Sequence, residues 1–231
     1  MIVLAIDSSS VAASAAVCRD DRIISEFIQN TSLTHSETLL PMIKSVLEAA
    51  GMTAEDIELF AVSAGPGSFT GVRIGISTIK GLAFGRNKPI ASVSSLEALA
   101  YNLLGFNGII CPVMDARRGQ FYTALFDGGN RLTPDLLIPY TQLKEKLQSV
   151  DKPIYFTGDA YALAHSAIDL PNVRKTPPRL RHASSASIAM CAQRNYTVGK
   201  DIFSDKNISP IYLRESQAER ERKERLKQKN G

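Results

Sequence analysis

The residues with the greatest potential for chemistry lie in a glycine-rich segment between an apolar run and a helical pattern. Residues 65–71 read Gly-Pro-Gly-Ser-Phe-Thr-Gly, with an apolar run at 59–64 before them and an amphipathic stretch at 72–84 after them. A glycine bend between a strand and a helix lets another group come close to the backbone, either a phosphate at the helix N-terminus or a second backbone segment. The spacing alone fits both interpretations.

The spelling of this segment excludes three well-known motifs. A P-loop ends in Gly-Lys-Ser/Thr, but Val-Arg follows the last glycine here. The dinucleotide fingerprint needs Gly-x-Gly-x-x-Gly after the first strand, and this segment has one residue too many between its later glycines. A nucleophile elbow needs a glycine two residues on either side of the serine, where Ser68 has proline and threonine. A serine hydrolase is therefore not indicated.

Two aspartates follow apolar runs in distant parts of the chain. Asp7 ends the run 2–6 and Asp115 ends the run 109–114, and in each case a polar turn and a second predicted strand follow. The repeated order of strand, aspartate, turn and strand predicts two duplicated lobes, although two ordinary hairpins would give the same pattern. Several helical patterns follow these strands, so the chain is predicted to be an α/β protein.

The first predicted helix has a clear beginning and end. Thr34 and Glu37 form a capping box, and Gly51 is a C-cap candidate. Its apolar side chains form two rows, of which one can serve the core and the other an exposed patch. The rows are Leu39 with Ile43, and Leu40 with Leu47.

Composition and charge limit the classes of function. The net charge is +4, and the segment from residue 214 onward contributes +3 of it through seven basic and four acidic residues, so no strongly basic face is indicated for the rest. The three cysteines are far apart and form no Cys-x-x-Cys pair, which is typical of a reducing cytoplasm and unlike a zinc ribbon. The N-terminus lacks the basic region of a signal peptide, and no apolar run is long enough to cross a bilayer. We therefore expect a cytoplasmic protein with no membrane partner.

The order of elements resembles the actin-like (ASKHA) phosphotransferase superfamily and, more closely, the proteins that install threonylcarbamoyladenosine at position 37 of tRNA. The most specific stretches are residues 3–9, 35–41, 65–75, 114–122 and 210–214. Together they are similar to the bacterial dimerisation subunit, the TsaB (YeaZ) family. The resemblance implies a two-lobed actin-like (ASKHA, RNase H-like) α/β fold, each lobe a mixed sheet flanked by helices. The lobes are expected at residues 1–104 and 105–213, with a charged tail at 214–231.

The same resemblance separates this chain from the catalytic paralogue of that complex, the TsaD (Kae1) family. In the paralogue, two histidines of an Asn-His-x-x-Gly-His segment hold a metal, and on this matching Ser95 and Leu99 occupy their positions. Leucine has no donor atom and serine is a poor ligand for a transition metal. The three histidines share no i, i+4 spacing and are interpreted as surface or capping residues. They are His35, His165 and His182. We expect no catalytic residue and no metal site in this chain.

The implied function is that of a non-catalytic scaffold, or dimerisation subunit. It would bind and activate the TsaD-type paralogue, which transfers threonylcarbamoyl to N6 of adenosine 37, and it would form a homodimer when alone. A TsaE-type ATPase would complete the complex. ATP or ADP and the metal are expected on the partner subunits, with no cofactor on this chain, and tRNA is expected to bind only through the complex. For Arg117 and Arg118 the sequence is equally consistent with two roles, a contact with tRNA or solvent-exposed positions in a simple turn.

Two sets of site residues follow. Glycines one turn apart on the second helix would leave a bare groove for a partner, which the neighbouring helix would extend. The predicted partner interface is Leu39, Ile43, Gly71, Val72 and Gly75. The predicted vestigial phosphate loops are Asp7, Ser8, Ser9, Gly67, Ser68 and Thr70.

The alternative function is a small phosphotransferase of the same superfamily. Asp7 and Asp115 would organise magnesium and polarise an acceptor, while the two loops would bind phosphate. The small size of the lobes argues against it. So does the short Gly-Asp bend at 158–159, which is a poor substitute for the glycine-rich nucleotide segment of such enzymes.

Overall fold

The computed structural model describes residues 1–31 and 33–214, so the predicted tail lies outside the described residues except for Arg214. The described part of the chain forms two mixed β-sheets with helices packed on them. The predicted α/β class and the sheet-and-helix composition of both halves are therefore confirmed.

The first half of the chain builds a sheet around its N-terminal strand. Its elements are β1 (Ile2–Asp7), β2 (Ala13–Arg19), β3 (Arg22–Gln29), α1 (His35–Ala50), β4 (Leu59–Gly65), α2 (Phe69–Ala83), β5 (Ile90–Ser94) and α3 (Ser95–Tyr101). Strand β1 is antiparallel to β2 and parallel to β4, and β3 and β5 follow on the two sides. Helix α2 begins earlier than the predicted residue 72, because the hydroxyl of Ser68 caps it by accepting the Gly71 N–H at 3.2 Å.

The second half repeats this arrangement. Its elements are β6 (Ile109–Asp115), β7 (Gln120–Thr123), β8 (Phe126–Asp127), β9 (Asn130–Arg131), β10 (Leu136–Pro139), α4 (Tyr140–Gln148), β11 (Ile154–Thr157), α5 (Tyr161–Ala167), β12 (Val173–Arg174), α6 (Ser185–Thr197) and β13 (Ile202–Phe203). The path β10-β7-β6-β11-β12 has the same order and the same strand directions as β3-β2-β1-β4-β5. Asp7 and Asp115 therefore end equivalent strands, as the sequence repeat predicted.

The predicted boundary of the second lobe is wrong at its C-terminal end. Helix α6 packs Ile188 and Cys191 against Val3 and Ala5 of the first sheet, and β13 pairs with β5. Ile208 is buried in the core under α1 and α2. The apolar face of the first sheet that α1 and α2 leave uncovered needs a helix, and α6 supplies it.

The predicted partner interface is wrong at four of its five positions, because these residues are buried within the chain itself, and the fifth, Leu39, is also buried but lines a groove between α1 and α2. Leu39, Ile43 and Val72 are each at most 2% exposed. A Cβ on Gly71 would lie 1.9 Å from the carbonyl oxygen of Ser8, and one on Gly75 would lie 2.6 Å from its hydroxyl oxygen. Glycines one turn apart do leave a groove, but the serine turn after β1 fills it.

Helix α3 joins the two sheets. Leu96 and Leu99 pack against Ile110, Met114 and Phe126 of the second sheet, and all five are buried. Ala98 of the same helix belongs to the apolar cluster on the first sheet, so α3 packs against both sheets. No helix within the described ranges is long and apolar enough to cross a membrane.

Candidate functional site: the cleft between the sheets

A cleft of about 500 Å³ opens where β1, β4, β6 and β11 end. Carboxyl ends of parallel strands are where ligands usually bind in sheets of this kind. The cleft is lined by Ser9, Ser10, Val11, Gly67, Ser68, Phe69, Met114, Asp115, Ala116, Arg117, Tyr122, Asp159 and Arg214. It contains four of the residues named from the sequence for phosphate or magnesium chemistry, namely Ser9, Gly67, Ser68 and Asp115.

Asp7 is not among these lining residues. It is fully buried, and its Oδ1 accepts the N–H of Ser9 at 2.6 Å and the hydroxyl of Ser9 at 2.8 Å. Burial raises the pKa of the Asp7 carboxyl above its usual value, and the hydrogen bonds from Ser9 oppose that shift. Asp7 organises the serine turn and is too enclosed to hold a magnesium ion against a ligand in the cleft.

The two predicted phosphate loops are in contact, and they use each other's polar groups. The N–H of Ser68 donates to the Ser9 carbonyl at 2.7 Å, and the Ser8 hydroxyl donates to the Gly71 carbonyl at 2.8 Å. A Cβ on Gly67 would lie 2.3 Å from the Ser9 carbonyl oxygen. The geometry favours the close-packed interpretation of the glycine bend over a phosphate cradle.

An acidic pair lies on the other side of the cleft. The Asp159 carboxylate, just beyond β11, accepts the N–H of Asp115 at 3.1 Å. Burial raises the pKa of Asp159 to about 6, and the negative charge of Asp115 adds to the shift. The Asp115 carboxylate lies 3.2 Å from the Arg117 guanidinium, which leaves Asp159 without a cation of its own within the described residues.

This raised pKa predicts a pH-dependent gain of stability in Asp159→Asn. The folded protein holds the Asp159 proton up to about pH 6, whereas an aspartate in the unfolded chain has its ordinary pKa of 3.8. Stability contributed by the bound proton is present below the unfolded pKa and is lost as the pH rises through 6. We expect the variant to be more stable than the parent by about 1–3 kcal/mol at pH 7.5 and nearly equal to it at pH 4. Urea unfolding at both pH values measures this, and equal differences at the two values would contradict it.

A strap that sequence reasoning did not assign to the cleft crosses its mouth at residues 208–214. The Ile211 N–H donates to the Ala64 carbonyl at 2.8 Å, and the Ile211 carbonyl oxygen lies 2.4 Å from where a Gly65 Cβ would be. Gly65 also has a φ of +115°, so glycine is required there. Arg214 donates to the Ala116 carbonyl in the turn after β6, at 2.5 Å. The strap thus ties the first sheet to the second, and the sequence signalled it only as one of the stretches that carry the resemblance.

A second concavity of about 450 Å³ lies outside the cleft, between the N-terminal halves of α1 and α2. We call it the helix groove, and it is lined by His35, Ser36, Leu39, Leu40, Thr70, Arg73, Ile74, Ser77 and Thr78. Leu40 is 56% exposed here, whereas Leu47 of the same predicted row is partly buried against the core, so that row faces solvent at Leu40. Arg73 donates to the Tyr212 hydroxyl at 2.7 Å and lies over the Phe69 ring, 4.8 Å from its centre. The helix groove therefore combines an exposed leucine with an anchored arginine.

The positions matched to the metal ligands of the paralogue have other roles here. The Ser95 hydroxyl is 2.6 Å from the Ser63 hydroxyl, and Leu99 is buried between α3 and the second sheet. Among residues 1–31 and 33–214, no group of three or more His, Cys, Asp or Glu side chains could hold a metal ion. One histidine has a clear partner, since His35 Nε2 is 2.7 Å from the Ser10 carbonyl oxygen.

Comparison with known proteins identifies the family. A family model described as tRNA N6-adenosine threonylcarbamoyltransferase (TsaD) matches residues 23–221. A tRNA threonylcarbamoyladenosine biosynthesis protein TsaB from Bacillus subtilis is 39% identical over 173 residues, which cover 73% of this chain and 76% of the relative. The chain belongs to the TsaB (YeaZ) family. A TsaB protein from Escherichia coli is 38% identical over 126 residues, 54% of each chain.

Structural comparison agrees with this assignment at the level of the fold. The solved structure of YeaZ from Pseudomonas aeruginosa has a TM-score of 0.77 and 24% identity, and the match covers 92% of this chain and 99% of that one. The actin-like TsaB (YeaZ) fold expected from the sequence is confirmed.

Proposed function

We propose that this chain is a non-catalytic subunit in the biosynthesis of threonylcarbamoyladenosine in tRNA. Its TsaB relatives are named for that pathway, and the matching family model is named for the transferase itself. The observation that carries the non-catalytic role is the state of the cleft. Its two phosphate loops bind each other, and Asp7 is enclosed beneath them. A site whose donors are already used within the chain has little to offer a phosphate or a transition state.

The partner that we propose is the catalytic TsaD-type paralogue, bound at the helix groove. Exposed apolar side chains beside an immobilised arginine are typical of the centres of protein interfaces. A homodimer would use the same groove isologously and would compete with the paralogue. The TsaE-type ATPase completes the complex in this proposal. ATP or ADP and the catalytic metal bind to the partner subunits, and the three free buried cysteines fit a cytoplasmic location.

The phosphotransferase remains the second candidate because the cleft has the size of a small-molecule site and retains Asp115 and Asp159. Isothermal titration of the isolated chain with Mg-ATP separates the two functions. We expect no measurable heat of binding at Mg-ATP concentrations up to about 1 mM, because a scaffold without a phosphate site would not bind ATP more tightly than that. Micromolar binding that is lost in Asp115→Asn and retained in Glu55→Gln, an exposed acid outside the cleft, would establish the phosphotransferase instead.

A further inference from the structure

The turn between β6 and β7 carries two adjacent arginines in left-handed backbone conformations. Arg117 has a φ of 61° and Arg118 a φ of 56°, and Gly119 follows with 73°. Positive φ is uncommon for residues other than glycine and costs of order 1–3 kcal/mol where it is strained. Two such arginines in succession persist only if the surrounding structure fixes the turn.

Backbone hydrogen bonds fix this turn at both ends. The Gln120 carbonyl accepts the Ala116 N–H at 3.1 Å, and the Gln120 N–H donates to the Arg117 carbonyl at 3.2 Å. The Tyr140 N–H, at the start of α4, donates to the Gly119 carbonyl at 3.1 Å. The turn therefore presents its two arginines from a rigid base and not from a mobile loop.

Both guanidinium groups are available to a ligand. The Arg117 side chain is 84% exposed and pairs with the Asp115 carboxylate at 3.2 Å, with no other hydrogen-bond or ion-pair partner among residues 1–31 and 33–214. Arg118 is exposed, and its side chain has no hydrogen-bond or ion-pair partner within the part of the chain that the structure describes. Guanidinium groups bind phosphate oxygens in bidentate geometry, so two adjacent ones suit a phosphodiester backbone.

A partly exposed aromatic ring packs on Phe69, one of the residues that line the cleft. Tyr212 is 40% exposed and stacks on Phe69 with ring centres 4.0 Å apart and planes within 3° of each other. Phe69 and Arg117 line the same cleft, and Arg214 of the strap contacts Ala116, next to the arginine turn. Unstacked RNA bases bind on exposed aromatic rings flanked by guanidinium groups.

We propose that Arg117, Arg118 and Tyr212, which we call the cleft rim, form a contact surface for the tRNA within the assembled complex. The inference rests on the proposed function, because the catalytic partner brings the tRNA to this chain. The cleft rim borders the helix groove through Arg73, which binds Tyr212, so RNA held by a partner in the groove lies within reach. An acidic protein surface would use the arginines but would have no need of the exposed ring.

The experiment compares tRNA binding by the reconstituted complex containing either the parent chain or Arg117→Asn/Arg118→Asn. Asparagine tolerates left-handed backbone, so the turn is preserved while two charges are removed. Fluorescence anisotropy with labelled tRNA is measured over a range of salt concentrations. We expect binding about 10-fold weaker at physiological salt and a plot of log K against log salt that is less steep by about 1–2. The charge-retaining variant Arg118→Lys should be close to the parent.

The matched control is Lys152→Asn/Arg174→Asn, which removes two charges outside the cleft lining, one just before β11 and one in β12 opposite Tyr155. It should bind tRNA as the parent does. Unchanged affinity and salt dependence in the arginine double variant would overturn the inference. So would loss of complex assembly in that variant with an unchanged melting temperature, since the cleft rim would then contact protein. If the parent chain neither joined the complex nor supported tRNA modification, the proposed function would be wrong. The inference about the cleft rim would then fail with it, before any variant is compared.

Discussion

Replacing Gly71 with alanine is expected to destabilise the chain by more than about 3 kcal/mol, since the added methyl group has no space to occupy. Its Cβ would lie 1.9 Å from the carbonyl oxygen of Ser8 and 3.1 Å from the carbonyl carbon, and both are backbone atoms that cannot turn aside. Relief requires the serine turn to move away from α2, which breaks the hydrogen bond from the Ser8 hydroxyl to the Gly71 carbonyl. Urea unfolding followed by circular dichroism measures the loss. Gly75→Leu should disrupt the fold for the same reason.

The same helix provides the control for this prediction. Gly81 also lies in α2, and a Cβ built there meets nothing within 4 Å. Gly81→Ala should therefore stabilise the chain by about 0.5–1 kcal/mol, the ordinary difference in helix propensity. Similar stability of Gly71→Ala and Gly81→Ala would contradict this account. The serine turn after β1 would then not be packed against α2, and the α2 glycines would be accessible to a partner.

The second large effect is expected from Leu40→Glu. Leu40 is 56% exposed in the helix groove, so a glutamate there costs the isolated chain little, while it places a charge at the centre of the proposed interface. We expect binding to the catalytic paralogue to weaken by at least about 30-fold, and self-association with it. The melting temperature should change by no more than about 2 °C. Pull-down and analytical ultracentrifugation measure the two associations.

Leu132→Glu is the matched control, because Leu132 is 55% exposed and lies outside the helix groove. It should leave both associations unchanged. If Leu40→Glu bound the paralogue as well as Leu132→Glu does, the partner would dock elsewhere on the chain.

Local sequence patterns determine the parts of the fold that could be predicted. The capping box is present, with the Thr34 N–H donating to the Glu37 carboxylate at 3.1 Å, and Gly51 caps the same helix with a φ of 64°. The repeated order of strand, aspartate and turn predicted two equivalent sheets. This was possible because strands and turns are signalled by the alternation of apolar and polar residues and by turn residues, which lie within a few positions of each other. Such signals do not depend on what the element later packs against.

The candidate site was harder to predict, because its features depend on contacts between distant segments. Glycine spacing in α2 indicates a close approach but not the group that approaches, which is Ser8 of the same chain. Helix α6 is rich in small residues, and its sequence pattern does not indicate which of the two sheets it packs on. The positions of Ile211 and Arg214 follow from where the chain passes after α6, which no local signal encodes.

We propose that this chain activates a catalytic partner and has no catalytic activity of its own, and this proposal can be tested directly. Its most direct test is nucleoside mass spectrometry of unmodified tRNA after reaction with threonylcarbamoyl-adenylate, the TsaD-type paralogue and the TsaE-type ATPase, with and without this chain. We predict threonylcarbamoyladenosine at position 37 only when the chain and the paralogue are both present, and none with the chain alone. Modification by the chain alone, or an equal yield from the partners without it, would contradict the claim.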